Sequence, residues 1–259
     1  QTALWVACEN GHVDTVRLLL DNGAEVDPAV RVERGTKGRT PLYIACENSH
    51  VDTVRLLLDN GPEVDRAASG WRRRMKGHTP LYVACENGHV DAARLLLDKG
   101  ADVTRADKEG RTPLDIAKHP RPFCRRGEAP VNLSDFEGLV ALLQEHYAAK
   151  FPLHAVARTG DVDAMTRLLD DGAAIDQTTE NGTTPLWIAC EHGHADLARL
   201  LLERGAEVDR AMKNGQTPLI IACRNGQVDA ARLLLENGAE VDRANKNGAT
   251  PLYVACKNG

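Results

Sequence analysis

Residues 212–244 read MKNGQTPLIIACRNGQVDAARLLLENGAEVDRA, and this segment carries the plan of the whole chain. Asn214-Gly215-Gln216 signals a turn. Thr217 can cap a helix through its hydroxyl, and Pro218 fits the first helical position, where an amide partner is not needed. Leu219, Ala222 and Cys223 fall on one face of a short helix, and Gly226 stops it. A second helix carries Val228, Ala231, Leu234 and Leu235 and ends at Gly238, from which Glu240-Val241-Asp242 leads to the next turn. Neither helix is long enough to stand alone in water. Their apolar faces must be hidden against neighbouring copies.

Such copies are present throughout. Thr-Pro-Leu recurs at 40–42, 79–81, 112–114, 184–186, 217–219 and 250–252, with variants at 2–4 and 151–153. The position filled by Pro218 recurs at steps of 38, 39, 33, 39, 33, 33 and 33 residues. A 33-residue period with inserts predicts an all-α solenoid of stacked helix-turn-helix units whose stability is summed over repeat interfaces. Only 4% of residues are aromatic while Leu and Ala abound, which favours small-residue helix packing over a β sandwich.

The succession Gly-x-Thr-Pro-Leu-x-x-Ala, Gly-His, Leu-Leu-Leu and Gly-Ala-x-Val-Asp resembles the ankyrin repeat, in about eight copies of which the first and last are partial. The resemblance implies L-shaped units with short β-hairpin or loop fingers and a concave groove that binds proteins. Two features depart from the family pattern. The His that follows Thr-Pro-Leu survives only as His154, with Trp5, Tyr43, Tyr82, Asp115, Trp187, Ile220 and Tyr253 elsewhere. The usual Ala-Ala is mostly Ala-Cys.

The register breaks in three places. About five extra residues fall within Pro28–Thr36 and about six within Ala67–Met75, both in finger loops where added length costs little. The third break is larger. His119-Pro120-Arg121-Pro122 ends a first helix early, a loop insertion covers 119–134, and Asp135 opens a helix predicted over Phe136–Tyr147. The finger before Phe151-Pro152-Leu153 is then missing. This divides the chain into repeats one to four (1–148) and five to eight (149–259); one continuous solenoid with a distorted joint is the other arrangement open to it. Neither end shows a polar capping repeat, so both are expected to continue in a longer protein.

Chemistry-bearing residues follow the period too. Cys8, Cys46, Cys85, Cys190, Cys223 and Cys256 share one slot of the first helix. Stacked helices lie ~8–10 Å apart, beyond the about 7 Å that a disulfide spans. No close Cys pair is spaced for zinc, so these read as reduced core thiols in an intracellular protein, cytoplasmic or nuclear. Cys124, among Arg121, Arg125 and Arg126, is the one candidate for a reactive thiol. The recurring Gly-His at 11–12, 88–89 and 193–194 resembles the family's turn histidine, which bonds backbone groups. Asp14/Arg17, Asp52/Arg55, Asp91/Arg94, Asp196/Arg199 and Asp229/Arg232 are helix neighbours on a solvated outer face. No nucleophile elbow, phosphate loop, zinc-protease motif or dinucleotide fingerprint occurs, and the loop 119–134 is the one irregular place for an active site. No enzyme, cofactor, metal or small-molecule substrate is expected. A net charge of −5 disfavours nucleic acid, and no apolar run is long enough to span a membrane.

What varies between copies is the end of the first helix and the finger. These slots hold Glu9, Asn10, Glu47, Asn48, Glu86, Asn87, Glu191, His192, Arg224 and Asn225, and the finger residues Lys213, Asn214, Gln216, Lys246 and Asn247. With Trp71, an aromatic anchor beside the basic run Arg72–Lys76, they form the candidate protein-binding set. Their charge runs from acidic in the first three repeats to basic in the last two, which would orient a partner. The expected function is a protein–protein interaction scaffold with an unidentified protein partner. The alternative is a regulatory or targeting module of a larger enzyme or channel.

Overall fold

The computed structural model describes residues 2–27, 38–68, 77–119 and 133–258. Among them there are helices and turns and no strand. The helices alternate along the chain: α1 (Ala3–Glu9) and α2 (Val13–Asp21), α3 (Pro41–Glu47) and α4 (Val51–Asp59), α5 (Pro80–Glu86) and α6 (Val90–Asp98), α7 (Pro113–Lys118) and α8 (Leu133–Lys150). There follow α9 (Pro152–Thr159) and α10 (Val162–Asp170), α11 (Pro185–His192) and α12 (Ala195–Glu203), α13 (Pro218–Arg224) and α14 (Val228–Glu236), and finally α15 (Pro251–Asn258). The chain falls into two compact units, Gln1–His146 and Tyr147–Gly259.

Local chemistry sets the helix starts. Thr2, Thr40, Thr79, Thr184, Thr217 and Thr250 each accept the backbone N–H of the third residue on, as a capping hydroxyl should. Thr112 does the same for Asp115, whose carboxylate returns the bond to the Thr112 backbone N–H, a complete capping box. Phe151 replaces the threonine at α9 and supplies no side-chain cap. The second helices other than α8 end on glycine. At α12, Gly205 takes φ 93° while its N–H and that of Ala206 bond back to Leu202 and Leu201.

Each unit is a double layer. First helices stack on first helices, α1 on α3 on α5 on α7 in one unit and α9 on α11 on α13 on α15 in the other. Second helices stack behind them, α2 on α4 on α6 and α10 on α12 on α14. The core between the layers is Leu42, Val54, Leu57, Leu81, Leu96 and their like in the first unit, and Leu153, Met165, Leu186, Leu201, Leu219 and Leu234 in the second. Each fully buried Leu contributes about 1.5–3 kcal/mol. No single repeat could assemble enough of them.

One expectation is corrected. α8 is longer than predicted, running from Leu133 to Lys150 rather than from Phe136 to Tyr147. Ala148-Ala149-Lys150 are strong helix formers, and nothing interrupts them before Pro152 opens the next helix. Among the described residues the fingers take the loop form of the expected β-hairpin or loop. Thr179 N–H to Thr183 O, Met212 N–H to Gln216 O and Asn245 N–H to Ala249 O each close a finger across four residues, too short for a ladder. The inserts within Pro28–Thr36 and Ala67–Met75 and the loop 119–134 lie largely outside the described residues.

Candidate functional site

The finger and the end of the first helix meet on one side of each unit. The residue just before Thr-Pro-Leu, at the finger root, faces the residue eight positions on. Arg39 and Glu47 form an ion pair with both side chains largely shielded from solvent. His78 has its Nδ1 3.9 Å from Glu86 Oε2. The Gln216 side-chain amide faces the Arg224 guanidinium. Root and helix end are thus one paired position.

That pairing revises part of the candidate set. Glu47 is buried, so it serves the frame rather than an open contact surface. The asparagines beside these slots also work inward: Asn48 donates to Glu9 O (2.9 Å), Asn87 to Glu47 O (3.3 Å) and Asn225 to Glu191 O (2.9 Å), each tying one repeat to the one before. Asn10 Nδ2 bonds within its own helix, to Val6 O. Glu9, Glu86 and Glu191 are half-buried, and His192 is exposed with its Nε2 3.7 Å from Glu191 Oε2. In the second unit Lys213, Asn214, Lys246 and Asn247 are exposed finger residues, and Gln216 and Arg224 are half-buried. Trp71, the run Arg72–Lys76 and Cys124 lie outside the described residues.

The turn histidines reach across repeats. His50 Nε2 lies 3.0 Å from Glu9 O, His89 Nε2 3.3 Å from Glu47 O and His194 Nε2 3.2 Å from Arg158 O. His50 and His194 pass over the preceding turn glycines so closely that a Cβ on Gly11 would stand 2.5 Å from the His50 ring and one on Gly160 2.6 Å from the His194 ring. Phe136 takes that place over Gly88, where no histidine is available. The cysteine slot is buried in Cys8, Cys46, Cys85 and Cys190, half-buried in Cys223 and exposed in Cys256, and all six are free thiols. Burial pushes the Cys8 and Cys190 thiols up to about 12 and raises those of Cys46 and Cys85 further, which leaves them protonated and unreactive. Among the described residues no group of His, Cys, Asp and Glu is arranged to hold a metal ion. The outer-face pairs such as Asp91/Arg94 and Asp196/Arg199 are exposed.

Three elements of the frame escaped the sequence. The aspartates after Val or Ile accept a backbone N–H from the next repeat: Asp27 from Glu63, Asp65 from Asp102, Asp176 from Glu207 and Asp209 from Glu240. Their recurrence in Gly-Ala-x-Val-Asp was the available signal. Finger tips join through main chain as well, Lys213 N–H to Asn181 O at 2.8 Å and Lys246 N–H to Asn214 O at 3.0 Å. Gly215 permits this approach, since a Cβ there would lie 2.9 Å from Lys246 N. The third is a polar network under the fourth finger. Buried Asp107 accepts the Glu109 and Arg111 N–H groups on Oδ1 and, on Oδ2, the Tyr82 hydroxyl (2.9 Å) and the Arg111 guanidinium (2.7 Å). His78 stacks on Tyr82 with ring centroids 4.0 Å apart.

Burial alone would raise the Asp107 carboxyl. The Arg111 backbone N–H, the Tyr82 hydroxyl and the Arg111 side chain together hold it below the ordinary aspartate range. Burial also pushes the Tyr82 hydroxyl up, so it stays a donor.

The family described as "Ankyrin repeats (3 copies)" matches residues 1–68, 67–121, 131–212 and 209–259. Among solved structures, the crystal structure of the human ASB11 ankyrin repeat domain is 26% identical, covering 98% of this chain and 92% of that one, with a TM-score of 0.37. No curated protein matches the chain.

Proposed function

The chain belongs to the ankyrin-repeat family, and from that premise we propose that it is a scaffold that grips a partner protein along the finger side of its repeats. Ankyrin repeats are in general a non-catalytic protein–protein interaction fold. Among the described residues no helix is long and apolar enough to cross a membrane.

The observation that carries the reading is how the polar side chains are distributed in the second unit. The recurring frame residues Thr184, Pro185, Leu186, Thr217, Pro218 and Leu219 are buried, whereas Lys213, Asn214, Lys246 and Asn247 stand out at the finger tips, in the slots that hold Lys108-Glu109 and Glu180-Asn181 in other copies. The frame fixes their spacing and leaves their chemistry open to a partner.

The contrast of charge between the two units has a narrower meaning than sequence alone implies. In the first unit Glu47 faces Arg39, so its charge is answered within the repeat. The basic finger side of the second unit is the better candidate for orienting a partner.

The reading is tested by two variants compared in affinity capture. One replaces Lys213, Asn214, Lys246 and Asn247 with serine. The other replaces the outer-face Asp196, Arg199, Asp229 and Arg232 in the same way. A partner retained by the second variant and lost by the first supports the scaffold reading. The reverse pattern places the contact on the outer helices and overturns it.

A further inference from the structure

Asn-Gly marks helix ends and finger tips throughout the chain, from 10–11 to 258–259. In water this step is chemically labile, because glycine has no Cβ to keep its nitrogen away from the asparagine side-chain amide. The fold restrains most copies by tying that amide down. At the ends of α2, α4 and α14, Asn22, Asn60 and Asn237 donate Nδ2 to the carbonyls of Leu18, Leu56 and Leu233 at 2.8 Å. Asn10, Asn87 and Asn225, at the ends of first helices, are tethered to main-chain carbonyls in the same way. At the finger tip, Asn214 Oδ1 accepts the Gln216 N–H at 3.0 Å.

Asn247 differs from all of these. It is exposed, and its side-chain amide makes no hydrogen bond. Asn181 is likewise untethered, but it is half-buried and its carbonyl accepts the Lys213 N–H at 2.8 Å. Its glycine is covered too: a Cβ on Gly182 would lie 3.2 Å from Lys213 N, whereas one on Gly248 would meet nothing within 4 Å. Asn247 and Gly248 line an open cavity of about 620 Å³, which admits water. The glycine nitrogens do not make the difference, since each is tied into its own turn, Gly23 to Leu20 O and Gly248 to Asn245 O both at 2.9 Å. The side chain does.

We propose that Asn247 is a self-modification site, which its own backbone converts to isoaspartate and aspartate. The Gly248 nitrogen bonds to Asn247 Cγ and the bond from Cγ to the amide nitrogen breaks. Ammonia leaves with the proton that Gly248 N–H gives up, closing a succinimide. Water then opens the ring. Addition at Cγ yields aspartate, and addition at the Asn247 main-chain carbonyl carbon yields isoaspartate, in which the chain runs through the former side chain. Nothing is oxidised or reduced. Either product sets a carboxylate on the finger tip beside Lys246.

The test ages the full chain in neutral buffer, digests it with pepsin at acid pH, where the reaction stops, and maps the peptides by mass spectrometry. Isoaspartate is read with an isoaspartyl methyltransferase and labelled S-adenosylmethionine, and Asn247→Gln identifies the label that belongs to this position. Asn247 should convert about fivefold or more faster than Asn22, Asn60 and Asn237, the factor in rate that one tethering hydrogen bond represents. In denaturant the four should convert at similar rates, because the tethers are gone. Equal rates in the folded chain, a lead for any other described Asn-Gly, or a lead of Asn247 that persists in denaturant would overturn the proposal.

Discussion

The turn at Asp107 in the first unit and the turn at Asn245 in the second are built alike and used differently. Both side chains are buried, and both accept two N–H groups of their own finger on one oxygen. Asp107 then spends its second oxygen on Tyr82 and Arg111, which belong to the helix below and the finger root. Asn245 has Ile220 below and Ala249 at the root, which answer with no polar group. The same backbone turn is a lock in one place and an open donor in the other. A repeat can therefore tie its turn to the helix below or leave that tie out without altering its main chain.

The comparison breaks first if the lock is weak. Asp107→Ala strands two backbone N–H groups and the Tyr82 hydroxyl, and should destabilise the first unit by about 3 kcal/mol. Asn245→Ala loses only the turn bonds and should cost the second unit about 1–2 kcal/mol. Hydrogen exchange read over α5–α7 and α13–α15 measures both, and Trp187, the one tryptophan between 147 and 259, reports the second unit by fluorescence. Equal losses would show that the network adds nothing to the turn.

Acid sharpens it next. Because the folded chain holds Asp107 below its ordinary value, the native state binds that proton less readily than the unfolded one. The stabilisation is complete above about pH 4, the unfolded range, and is lost as pH falls through the folded value. Denaturant titrations of the first unit should therefore weaken on acidification below about pH 4. Asp107→Asn should flatten that slope.

The tyrosines give a smaller contrast. Tyr82→Phe removes a hydroxyl bonded to Asp107 and should cost about 1 kcal/mol. Tyr43 is equally buried, yet its hydroxyl finds no partner, so Tyr43→Phe should be neutral or slightly stabilising in the same melts. An effect of the opposite sign concerns the turn at Ser49, which adopts φ 60° where other copies place Gly11, Gly88 or Gly193. Ser49→Gly should raise the melting temperature, worth about 0.5–1 kcal/mol.

The frame was legible because it is local. Thr-Pro-Leu announces a cap and a first turn wherever it stands, and Thr217 and Pro218 do what their chemistry predicts. The aromatic slot was readable as repeat packing: Tyr43 and Tyr82 are buried within the stack, and Tyr253, with no repeat after it in this sequence, is 57% exposed. The end of α8 was misplaced because alanine and lysine carry no stop signal. The candidate site was legible only as a set of variable slots. Which of them face outward depends on partners elsewhere in the fold. Glu47 meets Arg39 within its own repeat, and Asn225 reaches Glu191 from the next one. Periodicity shows that such positions recur. It does not show which of them are already occupied.

The carboxylates of Asp27, Asp65, Asp176 and Asp209 hold the main chain of the following repeat, and in the second unit the tips at Lys213 and Lys246 are tied by their own amides. The pitch between successive tips is therefore ruled by these carboxylates and by main-chain amides. Rewriting Lys213 or Lys246 changes what is displayed at each mark and leaves the ruler itself unmoved.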